Sequence, residues 1–511
     1  MTDTQVVVVG GGPVAMSAAL LLAELGIESV MLEAKPGRDP VGSKALCMQR
    51  DVLDILDRVG VAEPLVAEGV TWNLGRTYYR EHELFQITFP EVGQAHYPPF
   101  VNIGQDRTEL WLESAVDRSG STEIRYGHDV VAISQGPDGV EVTAHTEAGP
   151  VTVSGDFLVA ADGARSISRL LLDVAFGGSS FDDQFLICDI KAQLPFENER
   201  RFFFDPEWNP GRQVLIHPQA GSVWRIDWQV PPDFDLAAEQ ATGGLDARIR
   251  RIVGDQPYEI VWMSVYRFHQ RVADRFAVGR CFLAGDAAHL MAPFGARGLN
   301  SGIQDAENVA WKLAYVLNGW SPESLLGTYD TERRAAALEN LRVTGTTMEF
   351  LVPGTPAQWT RRRRVLERAV TDEDARLLVD SGRLAEPYSY SDSPLTTPPA
   401  PSPEPAAVVP GDLCPDVRLT STAWLRQKFG RGVVVLSTPG MAVPAFDASG
   451  PLATYDLGAL DGDGIIARSI GAAGGGAVVV RPDGHIAAVV ADASEVATAA
   501  ARAVGTNRDA A

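Results

Sequence analysis

The sequence predicts an α/β protein with a doubly wound domain, an antiparallel-sheet domain set into it, and a smaller α/β domain at its end. Three observations lead there. A strand–glycine–helix–strand unit opens the chain over residues 5–33, and apolar and polar residues alternate through much of 176–270. A proline-rich stretch then precedes a last hundred residues that carry strands of their own. A chain of 511 residues has room for about two to four cores.

The bulk composition narrows the class further. Apolar residues make up 45% and charged residues 22%, as in ordinary globular proteins. The formal net charge of −22 repels phosphate backbones and anionic lipid, so neither nucleic acid nor a membrane surface is an expected partner. Only five lysines stand among the 44 basic residues; we read that as compositional bias. Cys47, Cys188, Cys281 and Cys414 lie far apart without a C-x-x-C pair, which speaks against a disulfide framework or a metal site and suits a reducing cytoplasm. No apolar run approaches the ~20 residues of a bilayer span, and residues 6–9 are too few for a signal peptide.

Taken in order, residues 5–9 read as a buried strand. A helix follows with Val14, Ala18, Leu21, Leu22 and Leu25 on one face, ended by Gly26, and then a strand over 29–32 that stops at Glu33. Residues 70–100 are rich in aromatics and β-formers. Residues 108–117 are helical, and 123–153 form strands around the turn Gly136-Pro137-Asp138-Gly139. A buried strand over 157–161 leads into Asp162-Gly163. Residues 223–230 show the alternation expected of a half-covered antiparallel sheet. A strand at 281–284 precedes a helix from about 301 to 317, and 321–385 reads as helical. Seven prolines between Pro394 and Pro410 predict a stiff extended linker. Strands at 433–436, 477–480 and 485–490 and a helix over 494–504 close the chain.

Three segments carry chemistry. In the first, residues 10–15 read GGGPVA. Gly10 lets the chain turn off its strand, Gly12 admits a pyrophosphate, and Ala15 lets the helix pack close. The helix start, with Pro13 and Val14, offers free N–H groups to phosphate. Glu33 can accept from both ribose hydroxyls of an adenosine and would repel a 2′-phosphate, so this site wants FAD or NAD. The second segment, Asp162-Gly163 within 161–166, reads equally well alone as a β-turn. The third spans 279–314. Asp286 ends a strand with a carboxylate suited to a polyol, Pro293, Gly295 and Gly298 build a tight loop, and Asn300 or Ser301 caps the next helix. That helix end would stabilise negative charge on a reduced flavin by ~0.3–2 kcal/mol.

In this order and at these separations the segments resemble the class A flavoprotein monooxygenases, the p-hydroxybenzoate and phenol hydroxylase family. The likeness is greatest to the 3-(3-hydroxyphenyl)propionate hydroxylase branch and covers residues 1–350. It implies a doubly wound FAD-binding domain of glutathione-reductase type over 1–175 and 271–350, with a segment near 70–100 joining an antiparallel substrate domain at 176–270. A helical segment at 351–392, the linker at 393–410 and a thioredoxin-like domain at 411–511 complete the expected division. The last of these lacks C-x-x-C, so no thiol redox role follows.

Carried over residue by residue, the resemblance assigns Gly10, Gly12, Pro13, Val14, Ala15, Glu33 and Ala34 to the ADP half of FAD. Gln105 falls near the pyrophosphate or ribityl chain, Lys44 stands at an FAD-binding position, Asp162 and Gly163 match a motif linked to both FAD and NAD(P)H, and Gly285 and Asp286 meet the ribityl chain. Pro293, Gly295, Gly298, Leu299 and Asn300 run along the ring. The sequence departs from the family in three places: Ala15 replaces a common Gly, Lys44 replaces Arg and loses its fork, and Ala296-Arg297 replaces Gly-Gln, adding a cation beside the flavin.

The implied reaction hydroxylates a phenolic or polycyclic aromatic with NADPH or NADH and O2 through a flavin C4a-hydroperoxide, in aromatic catabolism or antibiotic biosynthesis. The enzyme would be a cytoplasmic monomer or homodimer. The candidates for the protein groups are Tyr266, His269 and Arg297 at the chemistry and His217 and Arg225 at the substrate. His289 reads as packing, and the run from Arg361 to Arg364 as a solvated helix face. Baeyer–Villiger insertion, epoxidation, quinone oxidation and a non-catalytic ligand-binding role remain alternatives on the same scaffold.

Overall fold

The computed structural model describes residues 3–38, 45–89, 95–196, 198–399, 408–419, 422–443, 445–446, 449–460, 464–472 and 475–506. Lys44 lies outside them. At the centre of the first sheet Thr4–Val9 runs parallel to Gly149–Ala160 on one side and Ser29–Glu33 on the other. Cys281–Leu283 and Thr122–Tyr126 extend the parallel sheet outward. Parallel neighbours require crossovers, and the helices Pro13–Glu24, Gln105–Ser119 and Arg297–Leu317 pack against one another over this sheet. Covered strands have no water-facing side, so Val6 to Val9 are all buried rather than alternating. The strand Gly149–Ala160 outruns the parallel region, and its first half pairs antiparallel with the hairpin of Asp129–Gly136 and Gly139–Thr146.

The second sheet has eight strands in the spatial order His289–Leu290, Tyr258–Ala273, Phe176–Ala192, Val223–Val230, Gln213–Gln219, Glu199–Phe204, Leu74–Tyr79 and His82–Thr88. It is mixed: only Glu199–Phe204 and Leu74–Tyr79 pair in parallel. One face is apolar across its central strands. Cys188, Ile190, Ile216, Ile226 and Trp228 pack under Leu245, Ile249 and Val253 of the helix Gly244–Val253. Because side chains alternate along a strand, the residues between them face the opposite way.

The last sheet holds Leu452–Asp456, Val433–Ser437, Ala477–Val480 and Ile486–Val490, parallel in the first pair and antiparallel in the rest. It is tied to the body by charge. Arg481 donates to both oxygens of Glu332 at 2.6 and 2.9 Å, and Lys312 donates to the same carboxylate at 2.7 Å. All three side chains are sealed from solvent.

Four expectations need correcting. The helix expected from about 301 begins at Arg297, because Gly295 (φ +87°) and Ala296 (φ +56°) complete the chain reversal before it. Asn300 is therefore no cap. Its amide donates to the carbonyls of Cys47 and Ala296 and accepts from the Gln49 N–H, so it sits inside the first turn and holds the neighbouring strand. Helix does not continue to 385: Gly327–Leu351, Pro356–Ala369 and Glu373–Arg376 are helical, and the chain then runs irregularly. Arg362 is not solvated. One residue in each turn of that arginine run must point inward, and Arg362 is 2% exposed, donating to Leu351 O and Gln213 Oε1. Finally, the start of the expected linker is not free-standing. Ser393, Leu395 and Thr396 are buried, and Thr397 N donates to Ala487 O at 2.7 Å, so the described part of the stretch is packed against the last sheet.

Candidate active site

A cavity of about 2150 Å³ lies between the first sheet and the polar face of the second. Drug-sized ligands occupy roughly 300–1,000 Å³, so the volume suits a large dinucleotide and a further molecule together. All three glycine-bearing segments border it.

At one end the contacts are made of backbone. Gly10 stands at φ +113°, and a Cβ there would lie 2.5 Å from Ala161 O, so the first and second segments touch where only glycine fits. Gly12, by contrast, has no atom within 4 Å of the place a Cβ would take. That open space lies at the start of the Pro13–Glu24 helix, whose first N–H groups are unpaired within the helix. Ala15 is fully buried against the sheet. Glu33 accepts from the Gly11 N–H at 2.6 Å and from the Lys35 N–H at 3.0 Å, which fixes its carboxylate at the cavity wall beside Ala34. These features fit the ADP half of a dinucleotide: a cradle free of Cβ atoms, a positive helix end and a carboxylate one strand away.

Asp162 and Gly163 border the same cavity, but the Asp162 carboxylate is directed to its own loop. It accepts from Ser166 Oγ at 2.5 Å and from Ser168 N at 2.9 Å, fastening the start of the helix Ile167–Leu171. Gln105, the first residue of its helix, accepts from Ala45 N and donates to Glu109. Asp286 is exposed to the cavity. Pro293, Gly295, Gly298, Leu299 and Asn300 line it further along, at the amino end of the Arg297–Leu317 helix.

Gly285 is held from beneath. Its N–H donates to Asp305 Oδ2 at 2.9 Å, and the same oxygen meets His289 Nε2 at 2.7 Å. Arg333 donates to Asp305 Oδ1 at 2.6 Å. Burial alone would raise the Asp305 pKa, but the charges of Arg333 and His289 hold it below the ordinary value. Sequence reasoning missed this support. Asp305 stands one residue before Ala306, on a helix read for its apolar face.

Side chains of the second sheet form the other end. Tyr266 faces the cavity near Phe268, Phe185 and Phe294, and burial together with the Asp286 charge raises its pKa. His269, three residues on along the strand, faces Ser180, whose Oγ lies 2.7 Å from its Nδ1. Burial and the nearby Arg271 and Arg267 lower its pKa. Arg297 borders the cavity and donates to Asn340 Oδ1 at 2.5 Å and to Arg383 O.

His217 and Arg225 pair across adjacent strands. Arg225 bonds Asp189 at 2.9 and 2.8 Å, whereas the Nδ1 of His217 is buried without a partner among the described residues. Burial, then Arg200 and Arg225, holds His217 well below its ordinary pKa, so the ring is neutral. Two further residues went unnoticed in the sequence. Burial pushes the Asp227 carboxyl up to about 7 against the pull of Arg225, and its Oδ1 has no partner. Arg200, 9% exposed, is held down to about 10 by burial. An unsatisfied buried polar atom costs ~1–3 kcal/mol, so a wall carrying several of them is not there for stability. The alternation over 223–230 did signal Asp227, since it puts Arg225, Asp227 and Gln229 on one face.

Residues 3–344 match the family model described as FAD binding domain. Over 350 residues the chain is 30% identical to a 3-(3-hydroxy-phenyl)propionate/3-hydroxycinnamic acid hydroxylase of Mycobacterium sp. (strain JLS), covering 66% of this chain and 58% of that one. It is 32% identical over 343 residues to a 6-hydroxy-3-succinoylpyridine 3-monooxygenase of Pseudomonas putida, covering 66% and 85%. The chain thus spans less than two thirds of the first of these relatives. Among solved structures it superposes on the flavin-dependent monooxygenase PieE, crystallised with FAD and substrate, with a TM-score of 0.84 at 24% identity, over 99% of this chain and 100% of that one. Aklavinone-11 hydroxylase, crystallised with FAD and aklavinone, gives a TM-score of 0.79 at 22% identity over 99% of each.

Proposed function

Because the chain belongs to the FAD binding domain family, we propose that it is an FAD-dependent monooxygenase that hydroxylates a phenolic or polycyclic aromatic with NADPH or NADH and O2. The observation that carries this reading is the single cavity joining the glycine-built cradle to an aromatic-walled sheet face. The hydroxylase and monooxygenase names of its relatives support it. Bound FAD, once reduced by the nicotinamide, supplies the oxygen-activating chemistry.

The chain's own residues bind, orient and shield. The turn at Gly10 to Gly12 and the amino end of the Pro13–Glu24 helix hold the pyrophosphate, and Glu33 holds the adenosine ribose. Asp286, with Gly285 fixed by Asp305, would hold the ribityl chain. The amino end of the Arg297–Leu317 helix would stabilise negative charge on the reduced ring. Phe185, Phe268 and Phe294 would exclude water from the space beside it, and the Tyr266 hydroxyl would relay a substrate proton.

The same reading gives the first sheet and its helices a glutathione-reductase type of architecture. It makes the last hundred residues a thioredoxin-like unit without a redox pair, consistent with their mixed four-stranded sheet and closing helix. The reading also takes in a cytoplasmic enzyme working as a monomer or homodimer; no helix among the described residues is long and apolar enough to cross a membrane.

The test is to follow NAD(P)H oxidation by the purified yellow protein across phenols, naphthols and polycyclic quinols, measuring peroxide alongside. A hydroxylated product formed in step with cofactor consumption is the expected result. Oxidation that no aromatic accelerates would refute the proposal.

A further inference from the structure

The cavity face of the second sheet is arranged in cross-strand rows. Arg201 pairs with Ile216, so Arg200 stands opposite His217; His217 pairs with Arg225, Arg225 with Asp189, and Asp189 with Trp262. The next row reads Phe202, Leu215, Asp227, Ile187 and Ser264. The first row carries most of the charge, Arg200, His217, Arg225 and Asp189, and ends in Trp262; the second is apolar except for Asp227 and Ser264.

Within the basic row Arg225 and Asp189 satisfy each other. That leaves His217 and Arg200 as the groups turned to the cavity, with Ser381 O accepting one bond from the Arg200 guanidinium. In the second row no group among the described residues bonds the buried Oδ1 of Asp227, and its strand neighbours Leu215 and Ile187 offer it no hydrogen. A buried carboxyl oxygen without a donor, flanked by Leu215 and Ile187 at the wall of a cavity, is a place kept for a donor on a ligand. His217 and Asp227 are diagonal neighbours on adjacent strands, roughly 7–8 Å apart at the backbone. The surrounding rings, with Phe185 and Phe268 stacked at 4.3 Å, make the remaining wall flat and apolar.

We infer that Asp227 and His217 read the oxygen pattern of the substrate: Asp227 accepts a hydrogen bond from a ring hydroxyl, and His217 with Arg200 donates to a second oxygen across the ring system. The substrate class is then a planar fused-ring phenol bearing another oxygen substituent, rather than a single-ring phenol or an unsubstituted arene. This assignment rests on the aromatic-hydroxylation reading and names the recognition elements within it.

The test titrates the FAD-loaded protein with aromatic probes, followed by the flavin visible difference spectrum. Wild type should bind 2-naphthol at least about ten-fold more tightly than 2-methoxynaphthalene, and 6-methoxy-2-naphthol about three-fold more tightly again. In Asp227→Leu the preference for the hydroxyl should fall to within about two-fold. In His217→Ala that preference should stay while the gain from the second oxygen disappears. Asp227→Asn, which keeps size and an acceptor, should hold FAD as wild type does and lower the preference to about three-fold. A wild-type preference below about two-fold, or one that survives unchanged in both Asp227 variants, overturns the inference. If the probe preferences behave as stated but no aromatic stimulates NAD(P)H oxidation, the recognition assignment stands and the hydroxylase reading falls.

Discussion

At one end of the cavity a ligand meets backbone N–H groups and glycines drawn from short continuous stretches near residues 10–15, 161–163 and 285–300; at the other it meets side chains from five strands spread between residues 176 and 273. The first kind of surface recognises what every member of a cofactor class shares, namely phosphates and sugars. The second recognises one molecule's pattern of rings and oxygens. Each end also handles buried polarity in its own way. Asp305 beneath the cofactor end is saturated with partners, whereas Asp227 and His217 at the sheet end are left with open positions. A saturated group holds a fixed shape, and an open one waits for a ligand.

The comparison breaks most visibly at Asp305. Asp305→Ala strands Arg333 and His289 in a buried site, and urea unfolding of the FAD-loaded protein should register a loss of about 3–5 kcal/mol. A loss below about 1 kcal/mol would mean that the cofactor end does not depend on its ionic support. Next comes Gly10→Ala, whose Cβ collides with Ala161 O. FAD affinity, measured by flavin fluorescence, should fall about 100-fold, equivalent to ~2.7 kcal/mol.

At the sheet end, His217→Ala should raise the KM for the substrate about ten-fold, or ~1.4 kcal/mol, and leave FAD content alone. An equal loss of FAD would erase the distinction between the two ends. A pH prediction sharpens it. Asp227 titrates near 7 in the folded chain against an ordinary 3.8, so the native state keeps a proton that the unfolded state releases. Its contribution to stability therefore declines as pH rises from about 4 to about 7, and Asp227→Asn should flatten that slope in chemical unfolding. The smallest effect is expected at Arg297. With its guanidinium bonded to Asn340 and Arg383, Arg297→Gln should move the flavin midpoint potential by less than about 10 mV.

The cofactor end was legible in the sequence because its parts are local. Glycine turn, helix start and acidic strand end follow one another within residues 10–33, and each has a physical reason to be the residue it is. Where even that end was misread, a non-glycine was responsible: Ala296 adopts a left-handed conformation that its side chain does not advertise, which moved the helix start to Arg297. The sheet end was largely hidden. Arg225 and His217 were picked out individually, but their relation to Arg200 and Asp227 depends on strand register, which distant segments set together. Arg362 shows the same limit for helices. A charged residue reads as solvated until its partner is known, and the side-chain partner of Arg362, Gln213, lies 149 residues away.

The pairing of Glu332 with Arg481 constrains how the chain can change over generations. Arg481 belongs to the terminal sheet and Glu332 to a helix of the body, yet neither reaches water. A lineage that discarded the tail would leave an anion sealed with Lys312 as its remaining cation, and one that borrowed a tail from elsewhere would need to bring an arginine to the same spot. The body and the terminal sheet thus share one buried charge balance, with Glu332 on one side and Arg481 on the other.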